Sequence, residues 1–285
     1  MTISIANAVT LGAQLLDAAG IDEPRMEAGS LLANILGCDR TFIIAHAEDA
    51  LTDEQIRSFR GFVGRRARRE PLQYITGRQE FFKLEFEVTP DVLIPRPETE
   101  IIVETARELL QNAARPFVAD IGAGSGCLVI SLLNELPNAS AVATDISPAA
   151  LRVARRNAER HSVIDRLTLL ESDCFSALKP AGQFSLIASN PPYVSDNERD
   201  AMQREVFYEP HAALFAGPDG LAVIRRLLRD APLFLQRDGY LVFEIGFGQH
   251  EAVKNLIDRE AWKLLEIRED LQGIPRTVVL QNCER

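Results

Sequence analysis

Residues Phe117-Val118-Ala119-Asp120-Ile121 are an apolar run carrying an acid near its end. Glycines follow at 122, 124 and 126, and then the apolar stretch Cys127 to Leu136. This is strand, glycine loop and helix. Alternate glycines remove Cβ atoms where a ligand has to approach the backbone. Two phosphate-binding readings fail on residue identity. The last glycine of a dinucleotide fingerprint would fall at Cys127, and no Gly-Lys-Ser/Thr is present to make a P-loop. From about Ile101 onward helical and strand patterns alternate, which implies a mostly parallel sheet covered on both faces. Runs beginning at Phe117, Ala141, Leu167, Phe184, Gly239, Trp262 and Thr277 supply seven strands.

An acid-terminated strand followed by alternate glycines resembles the first motif of S-adenosylmethionine-dependent methyltransferases, whose ligand carries no phosphate. The next strand tips extend this reading. Ala141-Val142-Ala143-Thr144-Asp145 ends in an acid placed to accept both ribose hydroxyls of an adenosyl ligand. Asp145 could instead cap the following helix, but Ser147 before Pro148 fills that place. The strand Leu167–Glu171 leads into Ser172-Asp173-Cys174-Phe175, where adenine would rest. There Asp173 accepts from the exocyclic amine or simply forms an Asx turn, and the Cys174 backbone meets the ring edge.

The fourth tip is Ser189-Asn190-Pro191-Pro192-Tyr193, directly after Phe184–Ala188. Each proline lacks an N–H and fixes φ near −65°, and Asn190 is kept out of the helical region by the proline after it. The expected result is a stiff hook with an amide and outward carbonyls, and a ring as lid. Such a hook suits a planar NH2 group held by both hydrogens.

Composition bounds the rest. The chain has 285 residues, 46% hydrophobic and 25% charged, with a formal net charge of −10. An acidic chain lacks the basic footprint of tight duplex binding, so no stable nucleic-acid binding is expected. No secretory leader or membrane span is legible, and four scattered cysteines without C-x-x-C suggest neither a zinc site nor disulfides. A cytoplasmic monomer without metal is expected. The basic cluster Arg57, Arg60, Arg65, Arg66, Arg68 and Arg69 reads as a solvated helix face or a docking patch.

Three regions follow. Residues 1–70 read as a small all-helical domain. Ala28, Leu31, Leu32 and Ile35 form one stripe, Gly37 a C-cap, and Thr52 with Gln55 a capping box before Ile56, Phe59, Phe62 and Val63. Residues 71–100 read as a β-hairpin linker, with Gln73–Thr76 before Gly77 and the alternating strand Phe82 to Val88, then a proline-rich wall of the cleft from Leu93 to Glu100. Residues 101–285 read as a Rossmann-like, seven-stranded α/β methyltransferase domain.

Asn-Pro-Pro-Tyr behind such a glycine loop is shared by amino-directed methyltransferases. Over nearly its whole length the chain resembles the bacterial release factor glutamine methyltransferases (the PrmC/HemK family). The helical domain, Pro71–Gly77, Leu93–Glu100, Asp120–Gly126, Asp145, Ser172–Phe175, Asn190–Tyr193 and Tyr208-Glu209-Pro210 carry that resemblance. It implies methyl transfer from S-adenosyl-L-methionine to the glutamine amide nitrogen of a Gly-Gly-Gln motif in peptide-chain release factors, leaving S-adenosyl-L-homocysteine. It implies that Gly122, Ala123, Gly124, Ser125, Gly126, Asp145, Asp173, Cys174 and Asn190 hold the cofactor. Asn190, Pro191, Pro192 and Tyr193 then hold the glutamine and act on it. Glu209 and His211, near the hook in sequence, are the candidates for a general base but read as structural, and no general base is named. The rival is an N6-adenine DNA or RNA methyltransferase that flips a base into the same hook. A non-catalytic adenosyl-binding adaptor is the reading from another class.

Overall fold

The computed structural model describes residues 3–283, the side chains of Asp200 and Ala201 excepted. The chain gathers into two compact units. One comprises the chain up to Arg78 together with Gln203–Tyr208, the other Gln79–Met202 and everything from Glu209 onward.

The first unit is built of α1 (Ile5–Ala18), α2 (Pro24–Leu36), α3 (Arg40–Ala45), α4 (Asp53–Ala67) and α5 (Leu72–Thr76). Ser4, Asp39 and Thr52 each accept a first-turn backbone N–H, and Gln55 completes the expected capping box. Gly37 closes α2 at φ 65°. Ala28, Leu31 and Leu32 are wholly buried, packed in one core with Leu16, Phe59 and Val63. Gly12 is required by close approach, since a Cβ there would lie 2.7 Å from Phe59 Cζ.

The arginine cluster divides. Arg57, Arg60 and Arg68 are exposed, as a solvated face would have them. Arg66 is buried, paired with Glu27 at 2.5 Å and Glu205 at 3.1 Å. Arg65 pairs with Glu70, and Arg69 reaches Glu205 and the carbonyls of Ala19 and Gly20. Helical spacing reveals neighbours three or four residues away, and so could not reveal acids 39 and 139 residues distant. Arg66→Ala takes the buried cation from Glu27 and leaves Glu205 with Arg69 alone. We expect it to lower the unfolding free energy by about 3 kcal/mol, read as a reduced denaturation midpoint.

The second unit opens with a hairpin, β1 (Arg78–Phe81) and β2 (Leu84–Glu87). The hairpin is shorter than expected, because Gln73–Thr76 is not extended but lies within α5, which Gly77 closes at φ 75°. The turn residues Phe82 and Lys83 both have positive φ, the I′ geometry usually given to Asn-Gly. Tertiary contact holds them there: Phe82 N–H donates to Glu100 Oε1 at 2.8 Å, and its ring packs against the core.

There follow α6 (Glu100–Leu110), β3 (Phe117–Ile121), α7 (Cys127–Glu135), β4 (Ser140–Asp145), α8 (Pro148–Arg160), β5 (Leu167–Glu171) and β6 (Phe184–Ser189). The unit ends with α9 (His211–Leu214), α10 (Ala222–Asp230), β7 (Leu235–Glu244), α11 (His250–Leu256), β8 (Trp262–Glu269) and β9 (Pro275–Asn282). The seven strands order as β5-β4-β3-β6-β7-β9-β8. All pairs up to β7 are parallel, and β9 runs antiparallel to β7 and β8. This is the Rossmann-like sheet expected.

Period-2 alternation divides the sheet between two cores. Val118, Ala141, Ala143, Leu186, Val242 and Val279 face α6 and α7. Ala119, Ile121, Ile187, Leu241, Phe243 and Val278 share the other core with Ile224 and Leu227 of α10 and Val253 of α11. Every residue of β6 is buried, as a strand covered on both faces requires. No helix of the described residues is long and apolar enough to cross a membrane.

Candidate active site

The strand order reverses between β3 and β6, and an open α/β sheet holds its ligands outside the strand ends at that point. A cavity of 520 Å³ opens there. Its walls include the glycine loop, Asp120, Asp145, Ser172–Cys174 and Asn190–Pro192, with Leu93, Pro95 and Thr99 from the proline stretch. Four strand tips therefore converge as the sequence implied, and the proline stretch is a wall.

The glycine loop leaves β3 and enters α7. Gly122, Gly124 and Gly126 all have positive φ. Their reasons differ. A Cβ on Gly122 or Gly124 would meet nothing, which keeps the backbone open to a ligand, as expected of all three. On Gly126 it would strike Ile130 Cδ1 at 2.9 Å, so this glycine serves the packing of the loop and α7. Asn157, wholly buried on α8, braces the loop by donating to the carbonyls of Ser125 and Glu87.

Asp145 is not the free acceptor the sequence suggested. Its Oδ2 accepts from Gly124 N–H and its Oδ1 from Ser147 N–H, each at 2.8 Å. Ser147 caps α8 as expected. Each carboxylate oxygen keeps a second lone pair, so ribose hydroxyls can still be received. Burial raises the Asp145 pKa.

Cys174 stands on the cavity wall at φ 50°, and Ser172 Oγ–H donates to its carbonyl at 2.9 Å. Asp173 also lines the cavity, but its carboxylate pairs with Arg226 at 2.7 Å.

Asn190 is the most instructive side chain. Its Nδ2 donates to Thr99 Oγ1 at 2.8 Å, while its Oδ1 is buried without a partner among the described residues. Thr99 Oγ1–H in turn donates to Glu244 Oε2 at 2.6 Å, and Tyr193 O–H donates to Glu244 Oε1 at 3.1 Å. Tyr193 is thus anchored by its hydroxyl and, among the described residues, is not on the cavity wall. The ring is no lid. Burial raises the Tyr193 pKa further, and the Glu244 charge adds to it.

Two acids that the sequence placed at strand ends without assigning them roles matter here. Asp120 is 1% exposed, and its Oδ2 has no partner among the described residues. Burial pushes its carboxyl up to about 7. Glu244, equally buried at the end of β7, is raised by burial to about 7 against the lowering effect of its two hydroxyl donors. The available signal was the one used for Asp145, an acid closing an apolar strand. Glu209 accepts from Ile94 N–H and Arg96 Nη2, which fastens the proline stretch, a structural role as expected. His211 lines the cavity and stacks on Phe215.

The cavity fits an adenosyl sulfonium ligand on this structure's own evidence. The open backbone at Gly122 and Gly124 gives room, Asp120 offers an Oδ2 that is unpartnered among the described residues to an ammonium, and Asp145 retains acceptor capacity.

A Rossmann-like sheet of this order, with acids and a glycine loop at its switch point, defines the S-adenosylmethionine-dependent methyltransferases. Two family models match, the PrmC N-terminal domain over residues 7–77 and the methyltransferase small domain over 99–254. The chain is 44% identical to the release factor glutamine methyltransferase of Geobacter sulfurreducens, over 91% of this chain and 90% of that one. It is 41% identical to the protein of that name from Koribacter versatilis, over 93% of each. The chain belongs to the release factor glutamine methyltransferase family. Among solved structures, the hMettl16 catalytic domain in complex with the MAT2A 3′UTR hairpin 6 superposes with a TM-score of 0.54. The identity is 14%, covering 83% of this chain and 84% of that one, a likeness of fold alone.

Both buried acids bind a proton more tightly when folded, from ordinary values of 3.8 for Asp120 and 4.5 for Glu244 up to about 7. Their stabilising contribution is complete below those ordinary values and is lost as pH rises through about 7. We expect the unfolding free energy to fall between mildly acidic and mildly alkaline buffer. Asp120→Asn should flatten that slope, as read by denaturant titration across the range.

Proposed function

We propose that the protein transfers the methyl group of S-adenosyl-L-methionine to the side-chain amide nitrogen of the glutamine in the Gly-Gly-Gln motif of peptide-chain release factors. The observation that carries this is the buried Oδ1 of Asn190 at the end of β6, which has no partner among the described residues. A buried acceptor with no donor is costly unless a ligand supplies one. A primary amide supplies exactly two N–H groups in one plane.

When bound, S-adenosyl-L-methionine supplies an electrophilic methyl carbon on a sulfonium. The protein's part is to hold the cofactor and to aim a poor nucleophile. Gly122, Ala123, Gly124 and Ser125 would line the methionyl and ribose portion, with Gly126 holding the loop against α7 behind them, Asp145 the ribose hydroxyls, and Asp120 the ammonium. Cys174, with the backbone of Asp173, would face the adenine edge. Asn190 Oδ1 and the Pro191 carbonyl accept the two amide N–H groups, which draws the lone pair out of conjugation and fixes its direction. Pro191 and Pro192 stiffen this grip, and Tyr193 steadies it through Glu244. No general base is assigned, because the product proton can leave to solvent.

In this reading the helical region, residues 1–70, recognises the release factor. The match to the PrmC N-terminal domain supports that role, as do the exposed Leu11, Leu15, Phe42 and Ile44. Residues 71–100 serve as linker and cleft wall, and 101–285 as the catalytic domain. The protein acts as a cytoplasmic monomer without stable nucleic-acid binding.

The deciding assay offers radiolabelled S-adenosyl-L-methionine with purified release factor, its Gly-Gly-Ala variant, and duplex DNA in parallel. Label on the wild-type factor alone is expected. Label on DNA would transfer the hook to adenine chemistry. Asn190→Ala should keep cofactor affinity and lower kcat roughly 10²-fold or more, as losing one preorganised polar contact does. Asp145→Ala should weaken cofactor binding in calorimetric titration, and an unchanged Kd would remove the ribose assignment.

A further inference from the structure

Resting on that reading, we infer that Glu244 and Thr99 are positioning residues that decide which end of the Asn190 carboxamide the substrate meets. A carboxamide is nearly symmetric in shape, and either end could point at the substrate. With Oδ1 toward the site, the hook accepts N–H groups and selects an amide. With Nδ2 toward the site, it would donate, and would select a carbonyl or a carboxylate. Something must choose.

The choice runs through one hydroxyl. Thr99 Oγ1 has a single proton, and it lies 2.6 Å from Glu244 Oε2 and 2.8 Å from Asn190 Nδ2. Ionised Glu244 accepts only, so the Thr99 proton goes to it. The lone pairs of Thr99 are then what Asn190 meets, and only Nδ2 can satisfy them. Oδ1 is turned to the other side and, among the described residues, left without a donor. The second carboxylate oxygen is occupied by Tyr193 O–H, so both ends of Glu244 are addressed by hydroxyl donors. Thr99, Asn190 and Glu244 come from the start of α6, the end of β6 and the end of β7, and Thr99 and Glu244 are 2% and 1% exposed. The polarity of the hook is therefore set by a carboxylate that need not touch the substrate.

Thr99→Val and Glu244→Gln test this, with Thr99→Ser as the conservative control. Each is assayed at alkaline pH with release factor bearing Gly-Gly-Gln, and its binding is compared with that of the Gly-Gly-Glu form. We expect the glutamine-over-glutamate preference to fall by ~10-fold or more in Thr99→Val and Glu244→Gln, because discrimination comes from a buried polar group left unmatched. Thr99→Ser should restore it, and the double variant should lose no more than either single one. Cofactor Kd should stay constant throughout. An unchanged preference in a folded Thr99→Val protein overturns the inference, as does strict additivity in the double variant.

A second readout needs no release factor. The Asn190 side-chain NH2, identified in ¹H–¹⁵N spectra by its absence from Asn190→Asp, should exchange slowly with solvent in the wild type and faster in Thr99→Val. Equal exchange overturns the inference. Slow exchange in a protein that labels no release factor leaves the inference standing and removes the substrate assignment instead.

Discussion

The catalytic unit depends on β3 and β6 lying side by side and parallel, although more than two other strands' worth of chain separates them. Val118 pairs with Leu186 and Asp120 with Ala188, while β4 and β5 continue on one side and β7 on the other. Parallel pairing brings carboxyl ends together, and the reversal of direction beside β3 leaves a crevice that no crossover helix fills. Asp120 and Asn190 stand at its two lips. Were either strand reversed, the acid and the amide would lie at opposite edges of the sheet.

That crevice is also where the fold tolerates polar groups it does not satisfy. Some buried polar side chains are fully partnered, as Asn157 is with the hairpin and the glycine loop, while Ser131 Oγ, Thr144 Oγ1, His250 Nδ1 and Thr277 Oγ1, away from the cavity wall, have no partner among the described residues. At the strand tips Asp120 Oδ2 and Asn190 Oδ1 have none among the described residues. Two carboxyls near the site are held by burial with raised pKa. Unsatisfied groups of this kind persist only where the surrounding packing over-determines them, and the two that stand on the cavity wall are placed where a ligand can bring the missing donors.

Much of this was legible in the sequence for local reasons. The strands are short apolar runs closed by acids or prolines, so their tips, and with them Gly122–Gly126, Asp145, Asp173 and Asn190, could be named from neighbours in the chain. The helical stripe, the Gly37 cap and the Thr52–Gln55 box were likewise local. What could not be seen was pairing across the chain. Glu244 reaches Thr99 across 145 residues and Tyr193 across 51, so an acid visible at the end of its strand gave no sign of its task. The same distance hid Arg66 with Glu205 inside what looked like a solvated arginine face. Gln73–Thr76 misled in the other direction: β-prone residues formed a helical turn because Pro71 and Gly77 bracket it and Tyr74 and Ile75 are buried.

The composition of the helical unit has a consequence for how the chain is made. Gln203–Tyr208 belongs to that unit, where Glu205 meets Arg66 and Arg69, and Tyr208 O–H donates to the Arg68 carbonyl. A ribosome delivers α1 to α5 first, yet the carboxylate that completes the buried Arg66 cluster emerges more than a hundred residues later, after the hook itself. During synthesis the helical unit therefore waits, half neutralised, for Glu205. Its final ion pair forms only once the sheet's first four strands have left the ribosome.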